Sequence, residues 1–223
     1  MADQDGDSTL ASSFTDMMTS LAVIFILLLV GSLNNAQEGS KDVRNEILAR
    51  LARDLNAFTK IGVKVESDPR DPLAMLVIVP EGLLNFSVDK TDIPADGILF
   101  LQRFIPAFVS AIGRTDVKKE LGSVVVEGHT DSEGTEEHNL DLSQKRSLAV
   151  VLASLDLLRS DPGARSTFLD LVSATGRGKR DLVMQAGKEN RDLSRRVVFK
   201  VRVRSLEQRS SGEIFGADLN AGR

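Results

Sequence analysis

"VVVEGHTDSEGTEEHNLDLSQKRSLAVVLASL" runs from Val124 to Leu155. Its valines read as a short buried strand, which delivers Gly128, His129, Thr130 and Asp131 into a polar loop. A helix is predicted to start near Leu142, with Arg146 on its first turns. Asp131 and Arg146 then converge where the loop meets the helix. A carboxylate beside a guanidinium suits a zwitterionic ligand, because arginine pairs bidentately with a carboxylate while the aspartate takes an ammonium group. Backbone N–H groups at a helix N-terminus favour the same anion. Three other readings stand beside this one. His129, Asp131 and His138 form a candidate metal set, although their spacing fits no zinc pattern. Ser143 with a histidine and an aspartate suggests a hydrolase, although no G-x-S-x-G elbow is present. The plainest is an Asp131–Arg146 salt bridge that only orders the loop.

The flanking segments supply the rest of a domain. "LAMLVIVPEGLLNFSV" (Leu73–Val88) opens as a strand. "PADGILFLQRFIPAFVSAIG" (Pro94–Gly113) reads as a helix with Ile98, Leu101, Phe104, Ile105, Phe108 and Ile112 on one side. "FLDLVSATGRG" (Phe168–Gly178) reads as a strand leading into a glycine turn. In "RRVVFKVRVR" (Arg195–Arg204), Val197, Phe199, Val201 and Val203 face one way, and Arg196, Lys200, Arg202 and Arg204 the other. The order β-α-β-α-β-β predicts an α+β fold, a mixed sheet with helices packed on one face.

Composition narrows the function. The 223 residues carry a net charge of -4, against the basic balance of a nucleic-acid binder, so no direct nucleic-acid partner is expected. Cysteine is absent, which removes disulfides, thiolate metal sites and cysteine catalysis. Tryptophan and tyrosine are absent too, so stacking platforms for bases or sugars are not expected.

The N-terminal part has a different character. In "SSFTDMMTSLAVIFILLLVGSLNNA" (Ser12–Ala36) no residue after Asp16 is charged. Some 20 apolar residues span a hydrocarbon core of roughly 30 Å. A cleaved signal peptide would begin with basic residues, whereas "MADQDGDST" carries three aspartates. Residues 13–36 are therefore expected to form one transmembrane helix behind a tail, 1–12. Asp16 reads either as an interfacial residue in water or as an ionisable group inside the bilayer, where such groups mark ion pathways. Thr15, Thr19 and Ser20 offer hydroxyls within a helical turn of it, and Ser20 shares its face. Residues 37–62 form a further predicted helix, with Val43, Ile47, Leu48, Leu51, Leu55 and Phe58 as an apolar stripe. That stripe suits self-association, a plug on the membrane, or packing on the following domain. "ESDPRDP" (Glu66–Pro72) closes this linker region, 37–72. The domain is expected over 73–205 and a loose tail over 206–223. Lys41, Arg44, Arg50 and Arg53 all follow the apolar run, which by the positive-inside rule places the C-terminal part in the cytoplasm.

The G-H-T-D…N-x-x-L-S-x-x-R pattern of the opening stretch, with "LLNFSVDKTDIP" before it and "RRVVFKVRV" after it, resembles OmpA-like peptidoglycan-binding domains over Leu73 to Arg204. The resemblance implies that Asp131 and Arg146 hold diaminopimelate of the peptidoglycan stem peptide. It sets Thr130 and Asn139 around them, with Leu142 and Ser143 shaping the loop. The family's N-R-R-V signature stands here as Ser194-Arg195-Arg196-Val197, which brings Arg195 near the ligand with its asparagine replaced. "FTDMMTSLAVIFILLL" in turn resembles the transmembrane helix of MotB-like stator B subunits, with Asp16 at the ion carrier and Met18-Thr19 at the pair after it. The flanking Trp or Tyr common in such helices is absent.

Together these resemblances imply a motor subunit rather than an enzyme. Two copies would sit inside a ring of multi-pass MotA-like subunits, with Asp16 passing H⁺ or Na⁺, Thr19 and Ser20 beside it, and no further cofactor. The chain would be a single-pass protein of the bacterial inner membrane, in contact with lipid. Because the wall lies outside, its N-terminus would be cytoplasmic and its domain periplasmic, against the charge rule. The short acidic tail and compact linker resemble the B subunits of Zorya anti-phage defence motors more than flagellar ones.

Overall fold

The computed structural model describes residues 4–205. The expected loose tail, 206–223, and the side chains of the expected tail 1–12 lie outside the described residues, as does the side chain of Val43. The chain divides into two units, Met1–Ser40 and Lys41–Arg223.

A single helix, α1 (Gln4–Asp54), contains both the predicted transmembrane helix and most of the predicted linker helix. No proline falls within it, so nothing in the sequence forces a break at "GSLNNAQEGS". Ser13–Asn34 has a mean hydropathy of 2.1 and every one of its side chains is exposed. At 1.5 Å per residue it is about 33 Å long, enough to cross a bilayer.

In the second unit, Ile47, Leu51 and Leu55 are buried in the domain core. The stripe expected from the sequence thus packs on the following domain. The elements after it are α2 (Asn56–Thr59), β1 (Lys64–Ser67), β2 (Ala74–Pro80), α3 (Glu81–Leu84), α4 (Ala95–Gly113), α5 (Thr115–Lys118) and β3 (Leu121–His129). Then come α6 (Glu136–Leu157), α7 (Pro162–Leu171), β4 (Val172–Gly178), β5 (Met184–Gln185), β6 (Lys188–Glu189), α8 (Arg191–Ser194) and β7 (Arg196–Val203). Five strands form one mixed sheet in the order β1-β2-β7-β3-β4, in which only β3 and β4 pair in parallel. From β2 onward the main elements follow the expected β-α-β-α-β-β order.

The helices cover one face of this sheet. Val197, Phe199, Val201 and Val203 are buried, and Phe199 meets Phe104 and Phe108 of α4 at 5.3 and 5.1 Å between ring centroids. The opposite face mixes Leu76, Ile78 and Val198 with charged side chains, and Lys200 there donates to Asp68 at 2.6 Å. Helix α4 also has the length and apolar character of a membrane span, with a mean hydropathy of 1.4, but it is half buried as the central core helix.

Several elements differ from the sequence reading. Strand β1, at the sheet edge, runs into the start of the proline-rich break. Helix α6 starts at Glu136, six residues before Leu142, because the Thr135 hydroxyl caps it by accepting from His138 N–H. Phe168–Leu171 belongs to α7 instead of a strand: Asp161 caps that helix through the Ala164 N–H, and Pro162 preorganises its first turn.

Candidate functional site

A cleft of about 780 Å³ opens where the end of β3, α6, α3 and α8 meet. Thr130, Asp131, Asn139, Arg146 and Arg195 all line it. The sequence-predicted site residues therefore come together, but Asp131 and Arg146 do not pair. With α6 starting early, Arg146 sits in its third turn, away from the helix N-terminus.

Arg146 is fixed from three sides. Its Nε donates to Lys90 O and its Nη2 to Ser87 O, both at 3.0 Å, and its Nη1 donates to Glu81 Oε1 at 2.8 Å. The Phe86 ring lies 4.8 Å beneath the guanidinium. Burial pulls the Arg146 pKa below the ordinary arginine range, against the opposing pull of Glu81. This guanidinium is therefore presented rigidly to the cleft.

Asp131 is held by other arginines. Its Oδ2 accepts from Arg191 Nε and Arg195 Nη1, each at 2.9 Å, and its Oδ1 caps the Glu133 N–H at 3.1 Å. Burial raises its pKa, but these donors outweigh it and hold the carboxyl below the usual range. Arg195 also donates through Nε to Glu81 Oε2 at 2.5 Å and through Nη2 to Asp192 at 2.6 Å. Burial lowers the Arg195 pKa, and its bonds to Asp131 and Glu81 more than reverse that. The site is thus a chain of alternating charges, Arg146–Glu81–Arg195–Asp131–Arg191. The plain Asp131–Arg146 salt bridge is not what orders the loop. That task falls to Asp131 on Glu133 N–H and to Asn139, whose Nδ2 donates to Glu133 O at 2.6 Å.

Thr130 anchors the loop to β4 through its N–H, which donates to Gly178 O at 3.0 Å. Its hydroxyl is buried with no hydrogen-bond partner among the described residues. Ser194, standing where the family has asparagine, is fully buried and accepts from Val183 N–H at 3.0 Å, so it keeps the loop before Arg195 anchored.

The competing sets separate. His129 points to the sheet face away from the helices, beside Glu127 and Asp181, while His138 pairs at the surface with Asp89 at 3.0 Å. No group of three or more His, Asp or Glu among the described residues is placed to hold a metal. Ser143 is wholly buried; its hydroxyl donates to Leu140 O and accepts from Gly178 N–H at 2.9 Å. It is a packing contact between α6 and β4, with no access for a substrate.

Glu81 and Arg191 were not singled out from the sequence. Asn190 does carry a local signal, since its side chain caps α8 at Leu193 N–H and so fixes Arg191 at the first helical position. In α1, Asp16 is exposed within the apolar span, and the Thr19 hydroxyl donates to Thr15 O at 2.8 Å, a backbone partner one turn back.

No protein-family model matches the chain. Among solved structures, the periplasmic domain of Helicobacter pylori MotB superposes with a TM-score of 0.49 at 18% identity, covering 71% of this chain and 93% of that one. The cell wall anchor of the type VI secretion system from Pseudomonas aeruginosa gives 0.48 at 25% identity, covering 69% and 97%. A Zorya protein ZorB from Escherichia coli ATCC 8739 is 21% identical over 89% of each chain. The resemblance carried by the two motifs extends well beyond them: over 212 residues, 88% of this chain and 81% of the relative, the sequence is 27% identical to the Zorya protein ZorB of Escherichia coli O139:H28.

Proposed function

We propose that the chain is the wall-anchored, ion-conducting B subunit of an inner-membrane rotary motor of the Zorya type. The observation that carries the anchoring half is the cleft that gathers Asp131, Arg146 and Arg195. Opposite charges held a few ångströms apart, in a partly desolvated recess, suit the zwitterionic end of a diaminopimelate side chain of the peptidoglycan stem peptide. The ligand carboxylate faces the guanidiniums, and its ammonium group faces Asp131. Similarity to ZorB along most of the chain supports membership in a stator-like complex.

The motor half rests on α1. Asp16 stands near the start of a span otherwise fit for lipid, and a bare carboxylate there costs a few kcal/mol by insertion scales. Alternation between its protonated or sodium-bound form and its free form changes what it pairs with. Two copies inside a ring of multi-pass MotA-like subunits convert that alternation into rotation, while the periplasmic domains grip the wall and the N-termini stay cytoplasmic.

The anchoring claim is tested by pull-down of the full-length protein with purified peptidoglycan sacculi. Asp131→Asn and Arg146→Lys are each expected to weaken retention about tenfold or more, the usual worth of a charged hydrogen bond. Retention equal to wild type in both would return the charge chain to a purely structural role.

A further inference from the structure

Glu81 sits between two guanidiniums of this cleft. One of its oxygens accepts from Arg146 at 2.8 Å and the other from Arg195 at 2.5 Å. Two guanidiniums gripping one carboxylate, an oxygen each, form an anion seat, and here the chain fills the seat itself. The backbone delivers Glu81 there: Pro80 ends β2 in an extended conformation, and Glu81 N–H donates to Arg195 O at 3.2 Å. The arginine side cannot yield, because Arg146 is also tied to Ser87 O, Lys90 O and the Phe86 ring. The glutamate side chain has no such second tether in the cleft and is the member free to swing.

The charge balance around the seat points the same way. The walls carry Glu81, Asp89, Asp131, Glu133 and Asp192 against Arg146, Arg191 and Arg195. Each of the three guanidiniums already faces a carboxylate of the chain. A simple anion therefore meets a recess whose positive charge is committed and whose net charge repels it.

We infer that Glu81 is an internal competitor and specificity filter: it fills the carboxylate seat between Arg146 and Arg195 in the empty cleft, and a ligand carboxylate binds by displacing it. Only a ligand that also brings an ammonium group, for Asp131 and the released Glu81, offsets that displacement. This inference rests on the reading of the cleft as a zwitterion site, and it adds the residue that makes the site reject plain anions.

Titration calorimetry on the full-length protein in detergent micelles, with diaminopimelic acid and cadaverine as probes, tests it. Cadaverine is the same diamine without the two carboxylates. Glu81→Gln is expected to bind diaminopimelic acid about tenfold tighter than wild type, equivalent to about 1.4 kcal/mol, and cadaverine no tighter. Unchanged or weaker binding of diaminopimelic acid overturns the competitor role, and tightening of both probes overturns it as well, since it would mark a merely loosened cleft. Glu81→Asp, which keeps the charge but retracts it, serves if Glu81→Gln fails to melt cooperatively: a gain for diaminopimelic acid alone supports displacement, and no gain overturns it. Asp131→Asn separates the two levels. If it abolishes binding while the Glu81 variants behave as wild type, only the competitor role fails. If wild type and every variant ignore diaminopimelic acid, the zwitterion reading falls and the filter with it.

Discussion

Gly128 holds the β3 end close beneath α6, where a Cβ would lie 2.2 Å from Ser143 O. Gly176 on β4 is equally tight, 2.6 Å from Gln144 N. These two absences of a side chain let the helix carrying Arg146 rest on β4 and on β3, which leads into Asp131. Gly128→Ala is expected to destabilise the domain by about 1–3 kcal/mol, the usual cost of overpacking, read as a lower urea midpoint with unchanged slope. Asp181, on the side of the sheet away from the helices, gives a pH signature. Burial raises its pKa, but hydrogen bonds from Arg70 and Arg177 prevail and hold it at about 2. The folded value lies below the unfolded one, near 4, so its contribution to stability is full above about pH 4 and is lost as pH falls through about 2. Asp181→Asn should be less stable at neutral pH and lose less than wild type between about pH 4 and 2, in urea midpoints taken across that range. What was legible at this scale follows from motif and distance along the chain. Asp131, Arg146 and Arg195 sit in recognisable patterns. Glu81 meets Arg146 across 65 residues and Arg191 meets Asp131 across 60, and no local pattern encodes either contact.

At the scale of elements, periodicity was readable and boundaries were not. The stripe over Ile47, Leu51, Leu55 and Phe58 announced a helix, but an apolar stripe does not name its partner. The fold does: Leu51 and Leu55 are fully buried, and Phe58 stands edge-on to Phe100 and Phe104 at 6.3 and 5.4 Å. Leu51→Ala should therefore cost about 2–5 kcal/mol, as for other buried leucines. A loss in urea denaturation within error of zero would mean that the stripe serves a partner rather than this core. The β5–β6 hairpin was hidden for a different reason. Its turn needs positive φ at both central residues, and Ala186 (φ 49) and Gly187 (φ 77) supply it where Asn-Gly would have advertised it. The start of α6 was misread because the apolar spacing begins only at Leu142, while the cap at Thr135 and the acidic first turn, Glu136 and Glu137, set the true end.

For the whole molecule, the order of parts was legible because each part has its own solvent: a run without charge for lipid, then an alternating, charge-rich chain for water. Two chemistries on one polypeptide make separable predictions. Asp16→Asn keeps the shape of the side chain and removes its ability to release a proton or pair as an anion. If the wall-gripping cleft and the ion-carrying carboxylate do separate jobs, this variant should reach the membrane, be retained on sacculi like wild type, and fail to protect cells carrying the complete defence system in a phage challenge. The converse variant, Asp131→Asn, should fail on sacculi while its Asp16 is intact. Protection by Asp16→Asn equal to wild type would reduce the chain to a passive tether, because a tether needs the apolar span and the cleft but has no use for a carboxylate at the head of its membrane helix.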